Sequence, residues 1–263
     1  IEKILSKVVA KFYKHKPKNI IAVTGTNGKT SVADYFRQIL NNNNISSASI
    51  GTLGIKFNNK TFKTSLTSPD IISLHANLEK LKKRGVDNVI IEASSHGLDQ
   101  GRLNSINFKA GIFTNFSQDH LDYHKTMRNY LNSKLILFKK LLKRKKYIIT
   151  DENNKEFKIF QQISKKKDLK LLGIKKIFHN LDNKYHNQFG DFQKKNLSMS
   201  IIAAGICGLD KLKILKSLKK LESIDGRIEL IRVFPNNVKT FVDYAHTPEA
   251  LRAVLRLIKN KYQ

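Results

Sequence analysis

Residues 20–30, Ile-Ile-Ala-Val-Thr-Gly-Thr-Asn-Gly-Lys-Thr, decide the fold of this 263-residue chain. The apolar run at 20–23 predicts a buried strand, two glycines end it, and helical apolar spacing resumes over 31–40. A strand, a glycine loop and a helix that begins with Lys-Thr are typical of phosphate sites, because backbone N–H groups point at the anion. Lys29 supplies a mobile positive charge, and the Thr30 hydroxyl can bind a phosphate-bound magnesium ion. The stretch therefore predicts a nucleotide site, although its spacing is tighter than usual and an isolated motif of this length also occurs in surface turns.

The composition excludes several classes of protein. At 40% hydrophobic residues the chain can bury a proper core, which excludes a disordered protein. Its longest apolar runs are too short to span a bilayer, and residues 1–19 suit an amphipathic helix better than a signal peptide. The single cysteine, Cys207, excludes an internal disulfide and fits a reducing compartment. We expect a cytoplasmic protein that is not embedded in a membrane.

The formal charge of +28 is compatible with two interpretations. A strongly basic chain raises the possibility of nucleic-acid binding. Only nine of its 49 basic residues are arginines, however, and the lysines are dispersed without a basic stripe interleaved with aromatic residues. We therefore predict a lysine-rich composition without a nucleic-acid function, whose excess charge still favours anionic ligands.

The remaining pattern alternates strands with helices and predicts an α/β fold, with a mostly parallel sheet flanked by helices. Strands are predicted at 20–23, 47–50, 86–93, 110–114, 147–150 and 240–243, and helices at 31–40, 69–84, 126–142, 193–207, 210–221 and 248–259. We expect a central domain over residues 1–230 and, over 231–263, the start of a second, Rossmann-like α/β unit. Gly226 and Arg227 mark the predicted boundary between them.

Polar side chains follow two of the predicted strands. Glu92 ends an otherwise apolar strand, and the motif Asp-His-Leu-Asp-Tyr-His at 119–124 follows the next one. Since ligand chemistry collects at the carboxyl ends of parallel strands, both should lie near the phosphate loop. Glu92 is either a capping residue or a magnesium ligand, and we favour the ligand. His120 and His124 are either solvated loop histidines or part of this site.

Lys134 interrupts an apolar helix face. Its neighbours three, four and seven positions away are Tyr130, Leu131, Leu137, Phe138 and Leu141. A lysine in such a stripe either extends to the surface or is held inside for use. Burial would lower its pKa and make the neutral amine available for chemistry.

Five segments of the chain together resemble the Mur ligases, ATP-dependent amide-forming enzymes of peptidoglycan synthesis. They are residues 24–30, 92–102, 115–134, 226–227 and 243–248. Within them, Ser-Ser-His-Gly-Leu-Asp-Gln-Gly-Arg at 94–102 and Asp-Tyr-Ala-His-Thr-Pro at 243–248 resemble the branch that makes UDP-N-acetylmuramoyl-tripeptide. The motif at 119–124 resembles the same branch. The resemblance covers nearly the whole chain.

The resemblance implies a reaction. ATP would phosphorylate the free carboxylate of UDP-N-acetylmuramoyl-L-alanyl-D-glutamate, and the amine of meso-diaminopimelate or L-lysine would displace the phosphate. ATP and Mg²⁺ are the implied cofactors, and the UDP-linked dipeptide and a free amino acid are the implied partners, bound by a monomer. The alternatives are another Mur-type or folylpolyglutamate-type ligase, or an inactive nucleotide-binding module. The tripeptide-branch motif and the absence of a Gly-Lys-Gly-Ser loop favour the first interpretation.

The resemblance also implies site residues, taken position by position. The implied ATP-binding residues are Gly25, Thr26, Asn27, Gly28, Lys29, Thr30, Asn196, Arg227, Asp243 and His246. Those implied to bind the UDP-linked substrate are Thr67, Ser68, Ser94, Gln100 and Arg102. The implied catalytic residues are Lys29, Glu92, His120 and Lys134, and the implied metal ligands are Thr30, Glu92, His120 and a carbamylated Lys134.

The chain departs from the family pattern at two levels. The usual Phe-Asn-x-x-Asn near the adenine is Phe-Gln-Lys-Lys-Asn at 192–196, so that Asn196 is kept and Gln193 is not typical. Family members also carry an N-terminal uridine-binding domain and a complete C-terminal domain. We expect a fragment centred on the ATPase domain, which binds ATP with magnesium weakly and does not ligate alone.

Overall fold

The computed structural model of the chain describes residues 2–58, 60–181 and 183–262. The described strands are β1 (Asn19–Thr24), β2 (Ser47–Gly51), β3 (Gly54–Phe57), β4 (Lys60–Phe62), β5 (Asn88–Glu92), β6 (Ala110–Phe113), β7 (Tyr147–Thr150), β8 (Lys170–Gly173), β9 (Glu229–Val233) and β10 (Lys239–Val242). The described α-helices are α1 (Glu2–Phe12), α2 (Lys29–Asn41), α3 (Ile71–Lys83), α4 (Ser95–Asp99), α5 (Leu121–His124), α6 (Met127–Ile136), α7 (Phe157–Lys167), α8 (Lys175–Asn180), α9 (Asn183–Ile206), α10 (Lys211–Ser217) and α11 (Pro248–Tyr262). A π-helical turn, Leu137–Leu141, and a 3₁₀ turn, Leu218–Lys220, complete the helical elements.

One large sheet organises the molecule, with strand order β4-β3-β2-β5-β1-β6-β7-β8. The strands from β2 to β8 along this order pair in parallel, and β3 and β4 add an antiparallel hairpin at one edge. The predicted mostly parallel α/β sheet flanked by helices is thus confirmed. The hairpin and β8 were not predicted, because their strands are short and β4 is fully exposed, so neither shows a clear apolar pattern.

Strand β1 lies in the middle of the sheet and is buried on both faces. Ile20 and Ala22 face a core cluster that includes residues of α3 and α7. Ile21 and Val23 face a second cluster, built largely from α2 and α9. A strand covered by helices on both faces has no solvent side, which explains its uninterrupted apolar sequence.

The helix predicted over 126–142 is present, but it is not α-helical throughout. Helix α6 ends at Ile136, and the backbone widens into the π-helical turn, in which the Leu142 N–H donates to the Leu137 oxygen. Leu137, Phe138 and Leu142 all approach Gly111 of β6 through their side chains. The π-helical turn and the residue after it thus pack against one strand of the sheet.

The other predicted helices are largely present, with different ends. Helix α9 begins ten residues before the predicted residue 193, and Gly190, with φ 64°, kinks it. The predicted helix 210–221 divides into α10 and the 3₁₀ turn. The predicted strand 240–243 forms β10, which pairs antiparallel with β9 in a separate two-stranded sheet. The domain ranges 1–230 and 231–263 remain a prediction, and they include residues 1, 59, 182 and 263, which lie outside the described residues.

Helix α1 is the amphipathic helix predicted near the N-terminus, although residue 1 of the predicted range lies outside the described residues. Helix α1 contacts α3, and its Val9 is buried, whereas Ile4 and Phe12 are exposed. Of the helices that the structure describes, none has both the length and the apolar character that crossing a membrane requires.

Candidate active site

The loop between β1 and α2 depends on two glycines with positive φ. Gly25 has φ 144° and Gly28 has φ 86°. A Cβ on Gly25 would lie 1.9 Å from Thr114 Oγ1, and one on Gly28 would lie 2.5 Å from Asn196 Oδ1. The loop therefore packs so closely against its neighbours that only glycine fits.

Two lysines donate to the same backbone oxygen of this loop. Lys29 Nζ lies 3.0 Å from the Gly25 oxygen and 2.8 Å from that of Thr26. Lys134 Nζ reaches the Gly25 oxygen from α6 at 2.8 Å and lies 4.2 Å from the centre of the Tyr130 ring. Lys134 is only 1% exposed. The structure therefore excludes the alternative in which this lysine extends to the surface.

Glu92 at the end of β5 is the buried carboxylate beside this loop, with an exposure of 2%. Its Oε2 accepts a hydrogen bond from the Thr30 hydroxyl at 3.0 Å, and its Oε1 accepts the Thr52 N–H at 3.0 Å. Glu92 thus caps the end of β2 and also presents carboxylate oxygen next to the first turn of α2.

Burial shifts the pKa of each of these charged groups toward its neutral form. The pKa of Glu92 is raised by burial, and the Lys29 charge opposes that rise. Burial lowers the pKa of Lys29, with Glu92 and Asp119 opposing. The pKa of Lys134 lies well below its ordinary value, because burial and then the nearby Lys29 charge both disfavour its ammonium form. The predicted fall in the pKa of Lys134 agrees with the structure.

The loop, Glu92 and the segment from Arg227 onward enclose a cavity of about 290 Å³. Ten of the predicted residues line it: Thr26, Asn27, Gly28, Lys29, Thr30, Glu92, Asn196, Arg227, Asp243 and His246. Gly25, His120 and Lys134 are not among its lining residues, and Lys134 lies behind the loop on Gly25. The structure thus brings the predicted nucleotide residues together from four separate parts of the chain.

The segment after Gly226 is attached to the loop by side-chain hydrogen bonds. Arg227 Nη2 donates to Thr30 Oγ1 at 3.0 Å, and Asn27 Nδ2 donates to Thr247 Oγ1 at 3.0 Å. The Asp243 carboxylate accepts the backbone N–H groups of Ile228 and Ala245 at 2.8 and 2.7 Å. Asp243 therefore shapes the backbone around the cavity in addition to lining it.

The two predicted histidines have different environments. His120 has φ 51°, its side chain is 42% exposed, and its Nε2 lies 3.4 Å from Asp119 Oδ2. The same carboxylate oxygen lies 3.4 Å from His246 Nε2. His124 is buried, with its Nε2 unpartnered, and packs against His96 and Tyr130. His124 is therefore not a solvated loop histidine, whereas the His120 side chain is partly exposed to solvent.

A second group of predicted residues lies at the end of β5, beside Glu92. Ser68 Oγ donates to the Glu92 backbone oxygen at 2.7 Å and lies 3.1 Å from Ser94 Oγ. Arg102 Nη1 donates to the Ser68 oxygen at 2.9 Å, and its Nη2 donates to Gln100 Oε1. Thr67 is linked to Thr52 through their hydroxyls at 3.2 Å. Ser68, Ser94, Gln100 and Arg102 thus form one hydrogen-bonded polar cluster in which Ser68 is fully buried, and Thr67 lies next to it, bonded to Thr52.

Magnesium prefers oxygen ligands, and two side chains beside the loop offer oxygen atoms. In the part of the chain that the structure describes, no group of three or more His, Cys, Asp or Glu residues is arranged to hold a metal. Thr30 and Glu92 nevertheless offer adjacent hydroxyl and carboxylate oxygens, which suit a magnesium ion that is also bound by phosphate. They fit that ion. The ammonium form of Lys134 cannot bind a cation, and its neutral amine offers nitrogen where magnesium prefers oxygen. Only as a carbamate would Lys134 supply the oxygen ligand predicted with His120.

Several residues around the cavity were not predicted. Thr52 bonds to Glu92 and lines the cavity, and Asn154 and Lys195 line it as well. The position of Thr52 directly after β2 could have indicated it, because this is again the carboxyl end of a parallel strand. Lys195 pairs with the buried Asp151 at 2.7 Å, a contact between distant segments that no local pattern indicates.

Comparison with known proteins gives one family model. The Mur ligase middle domain matches residues 23–212. UDP-N-acetylmuramoyl-L-alanyl-D-glutamate–2,6-diaminopimelate ligase of Rickettsia bellii is 37% identical, over 99% of this chain and 59% of its own length. The protein of that name from Brucella melitensis is 35% identical, over 97% of this chain and 57% of its length. The chain thus spans less than two thirds of these curated relatives.

Solved structures give the same picture of the fold. A structure of a UDP-N-acetylmuramoyl-L-alanyl-D-glutamate–2,6-diaminopimelate ligase matches 98% of this chain and 57% of its own, with a TM-score of 0.77 and 28% identity. Mycobacterium tuberculosis folylpolyglutamate synthase, solved with ADP and AMPPCP, has a TM-score of 0.72 over 98% of this chain and 70% of its own. Its identity of 15% shows a likeness of fold alone.

Replacing Lys134 by methionine should change how stability depends on pH. Because the pKa of the folded amine lies below its unfolded value of 10.5, unfolding takes up a proton, and the wild type gains stability as pH rises through this window. In buffer free of carbon dioxide, the free energy of unfolding of Lys134→Met should therefore exceed that of the wild type by the largest amount at low pH. This difference in free energy should shrink as pH rises, by at most about 1.4 kcal/mol per pH unit.

Urea unfolding of both proteins between pH 6 and pH 9 measures this difference. Lys139→Met, at an exposed lysine of the π-helical turn, is the matched control and should show no such trend. A difference between wild type and Lys134→Met that does not vary with pH would contradict a lowered pKa.

Proposed function

This chain belongs to the Mur ligase family, and from that premise we propose that it carries the ATP-binding site of a peptidoglycan-precursor ligase. The proposed reaction adds meso-diaminopimelate or L-lysine to UDP-N-acetylmuramoyl-L-alanyl-D-glutamate. Support comes from relatives at 34–37% identity, all of which are named for the diaminopimelate reaction. We expect the reaction in the cytoplasm, by a monomer without nucleic-acid or membrane partners.

The observation that carries the proposal is the convergence of cations on the glycine loop. Lys29 and Lys134 both donate to the Gly25 oxygen, and Arg227 donates to Thr30 one turn further on. Buried positive charge is costly unless an anion is present. The triphosphate of ATP would supply that anion at the N-terminus of α2, where backbone N–H groups add to the attraction.

In this proposal the nucleotide residues fall into two sets along the cavity. Residues 25–30 hold the β- and γ-phosphates, with Lys29 offsetting charge that develops as the γ-phosphoryl group moves. Asn196, Asp243 and His246 also line the cavity and are proposed to hold the nucleoside. Arg227, which reaches Thr30, is proposed to contact the phosphates.

Thr30 and Glu92 would hold one magnesium ion, and Glu92, His120 and a carbamylated Lys134 a second. Bound there, magnesium would withdraw charge from the phosphate oxygens. The lowered pKa of Lys134 supports the modification, because carbon dioxide reacts with the neutral amine only. Carbamylation would also place an anion next to the Lys29 charge.

The polar cluster at the end of β5 is proposed to hold the UDP-linked dipeptide. Its residues are Thr67, Ser68, Ser94, Gln100 and Arg102. It adjoins Glu92, so that a carboxylate bound there would meet the γ-phosphate near the end of β5. Transfer of the phosphoryl group gives an acyl phosphate and ADP. Attack of the incoming amine on the acyl carbon then forms the amide bond and releases phosphate.

Binding of ATP with magnesium tests this function in the chain itself. We expect calorimetry to detect binding by the wild type and Lys29→Ala to weaken it at least about tenfold, because a charge-assisted phosphate contact is lost. Lys143→Ala, at an exposed lysine, should bind like the wild type. Equal affinity of Lys29→Ala and wild type, or no binding at all, would contradict the proposal.

Carbamylation of Lys134 can be observed without activity. In ¹³C-labelled bicarbonate, the wild type should show a carbamate ¹³C resonance that is absent from Lys134→Arg, since a guanidinium cannot be carbamylated. Lys139→Arg, on the adjoining turn, should keep the signal. A resonance that persists in Lys134→Arg, or that the wild type lacks, would show that Lys134 is not the modified residue.

A further inference from the structure

Arg227 owes its place at Thr30 to the segment that carries it. Residues 222–228, here called the linker, connect the 3₁₀ turn after α10 to β9 and belong to no strand of the large sheet. Two linker residues have positive φ, 64° at Gly226 and 52° at Ile228. A positive φ is rare for a β-branched residue, so other contacts must hold the linker in this conformation.

A lysine from the edge hairpin supplies one such contact. Lys56, on β3, places its Nζ 2.8 Å from Asp225 Oδ2 of the linker. The same ammonium lies 3.8 Å from Asp34 Oδ1, on the helix that begins with the phosphate loop. Lys56 therefore joins three parts of the chain, with its own side chain only 14% exposed.

Asp34, the α2 residue near Lys56, also has hydrogen-bond partners other than Lys56. Asp34 accepts hydrogen bonds from Arg37 Nη2 at 2.9 Å and from Gln38 Nε2 at 2.7 Å. Gln38 in turn accepts the Glu222 N–H at 2.8 Å, which holds the start of the linker against α2. Loss of Lys56 would thus leave the buried Asp34 paired but would free Asp225, whose side chain is 68% exposed.

We propose that Lys56 is a positioning residue that holds the linker so that Arg227 stays on Thr30 at the nucleotide site. The proposal rests on the proposed function, because it gives Arg227 a role in binding ATP. It acts through Asp225, two residues before Arg227. The next residue of the linker, Ile228, donates its N–H to Asp243. The position of the linker therefore also affects Asp243, a second residue that lines the cavity.

The competing interpretation is an ordinary surface ion pair. Exposed pairs contribute little to stability, and Asp225 is largely exposed. The two interpretations differ in whether the effect of Lys56 depends on Arg227. A surface pair acts independently of Arg227, whereas a positioning residue has no effect on nucleotide binding once Arg227 is gone.

A double-mutant cycle on MgATP binding tests this dependence. Lys56→Met should raise the Kd at least about threefold in the otherwise wild-type chain and less than about twofold in the Arg227→Ala background. Lys56→Arg should keep affinity near wild type, since it retains the charge. Lys60→Met, at an exposed lysine of the same hairpin, is the matched control and should leave the Kd unchanged. Equal effects of Lys56→Met in both backgrounds, or none in either, would overturn the proposal.

Hydrogen exchange without nucleotide separates this proposal from the proposed function. Lys56→Met should speed exchange of the Arg227 and Ile228 N–H groups, which donate to Ile224 and Asp243, while the interior of α2 keeps its protection. Unchanged exchange in the linker would overturn the hold of Lys56 on it, even if the wild type binds MgATP. Absence of MgATP binding by the wild type would overturn the proposed function and the positioning role with it.

Discussion

The shared donation of Lys29 and Lys134 to the Gly25 carbonyl is the interaction on which the rest of the site depends. Both side chains are buried, and burial lowers the pKa of each. The Lys29 charge lowers the pKa of Lys134 further, whereas Glu92 and Asp119 oppose the fall in the pKa of Lys29. The Gly25 and Thr26 carbonyl oxygens offset only part of this buried positive charge. The loop therefore favours an anion, and its glycines let it pack closely against Thr114 and Asn196. A phosphate at the loop and a carbamate on Lys134 would both reduce the same imbalance.

The sheet determines which groups can share that charge. Strand β1 lies between β5 and β6, so the phosphate loop has Glu92 on one side and the segment that follows β6 on the other. Strand β2, beyond β5, brings Thr52 to Glu92. The linker then closes the cavity from outside the sheet through Arg227. The proposed site thus lies at the carboxyl ends of four neighbouring strands, as in other parallel sheets.

The sequence alone predicted the parts of this arrangement that have local causes. The loop at 25–30 follows from two glycines between an apolar strand and an amphipathic helix. The apolar neighbours of Lys134 on one helix face made burial one of two alternatives, and the structure shows that it is buried. Even there the reason was incomplete, because the π-helical turn after Ile136, and not a continuous α-helix, carries Leu137 and Phe138 into the core. Asn196, Arg227 and Asp243 were predicted only through the family resemblance. Lys56, like Lys195, was missed because its partners lie far away in sequence and are brought to it by the fold.

The central claim is that the loop at 25–30, with Thr30 and Glu92, holds the phosphates and magnesium of ATP. A crystal structure of the chain with magnesium and a non-hydrolysable ATP analogue tests it most directly. The account predicts the terminal phosphates against the loop N–H groups and Lys29, with a magnesium ion about 2.0–2.1 Å from the Thr30 hydroxyl and a Glu92 carboxylate oxygen. An analogue bound elsewhere, or phosphates that leave Lys29 on the Gly25 and Thr26 carbonyls and make no contact with the loop, would contradict it.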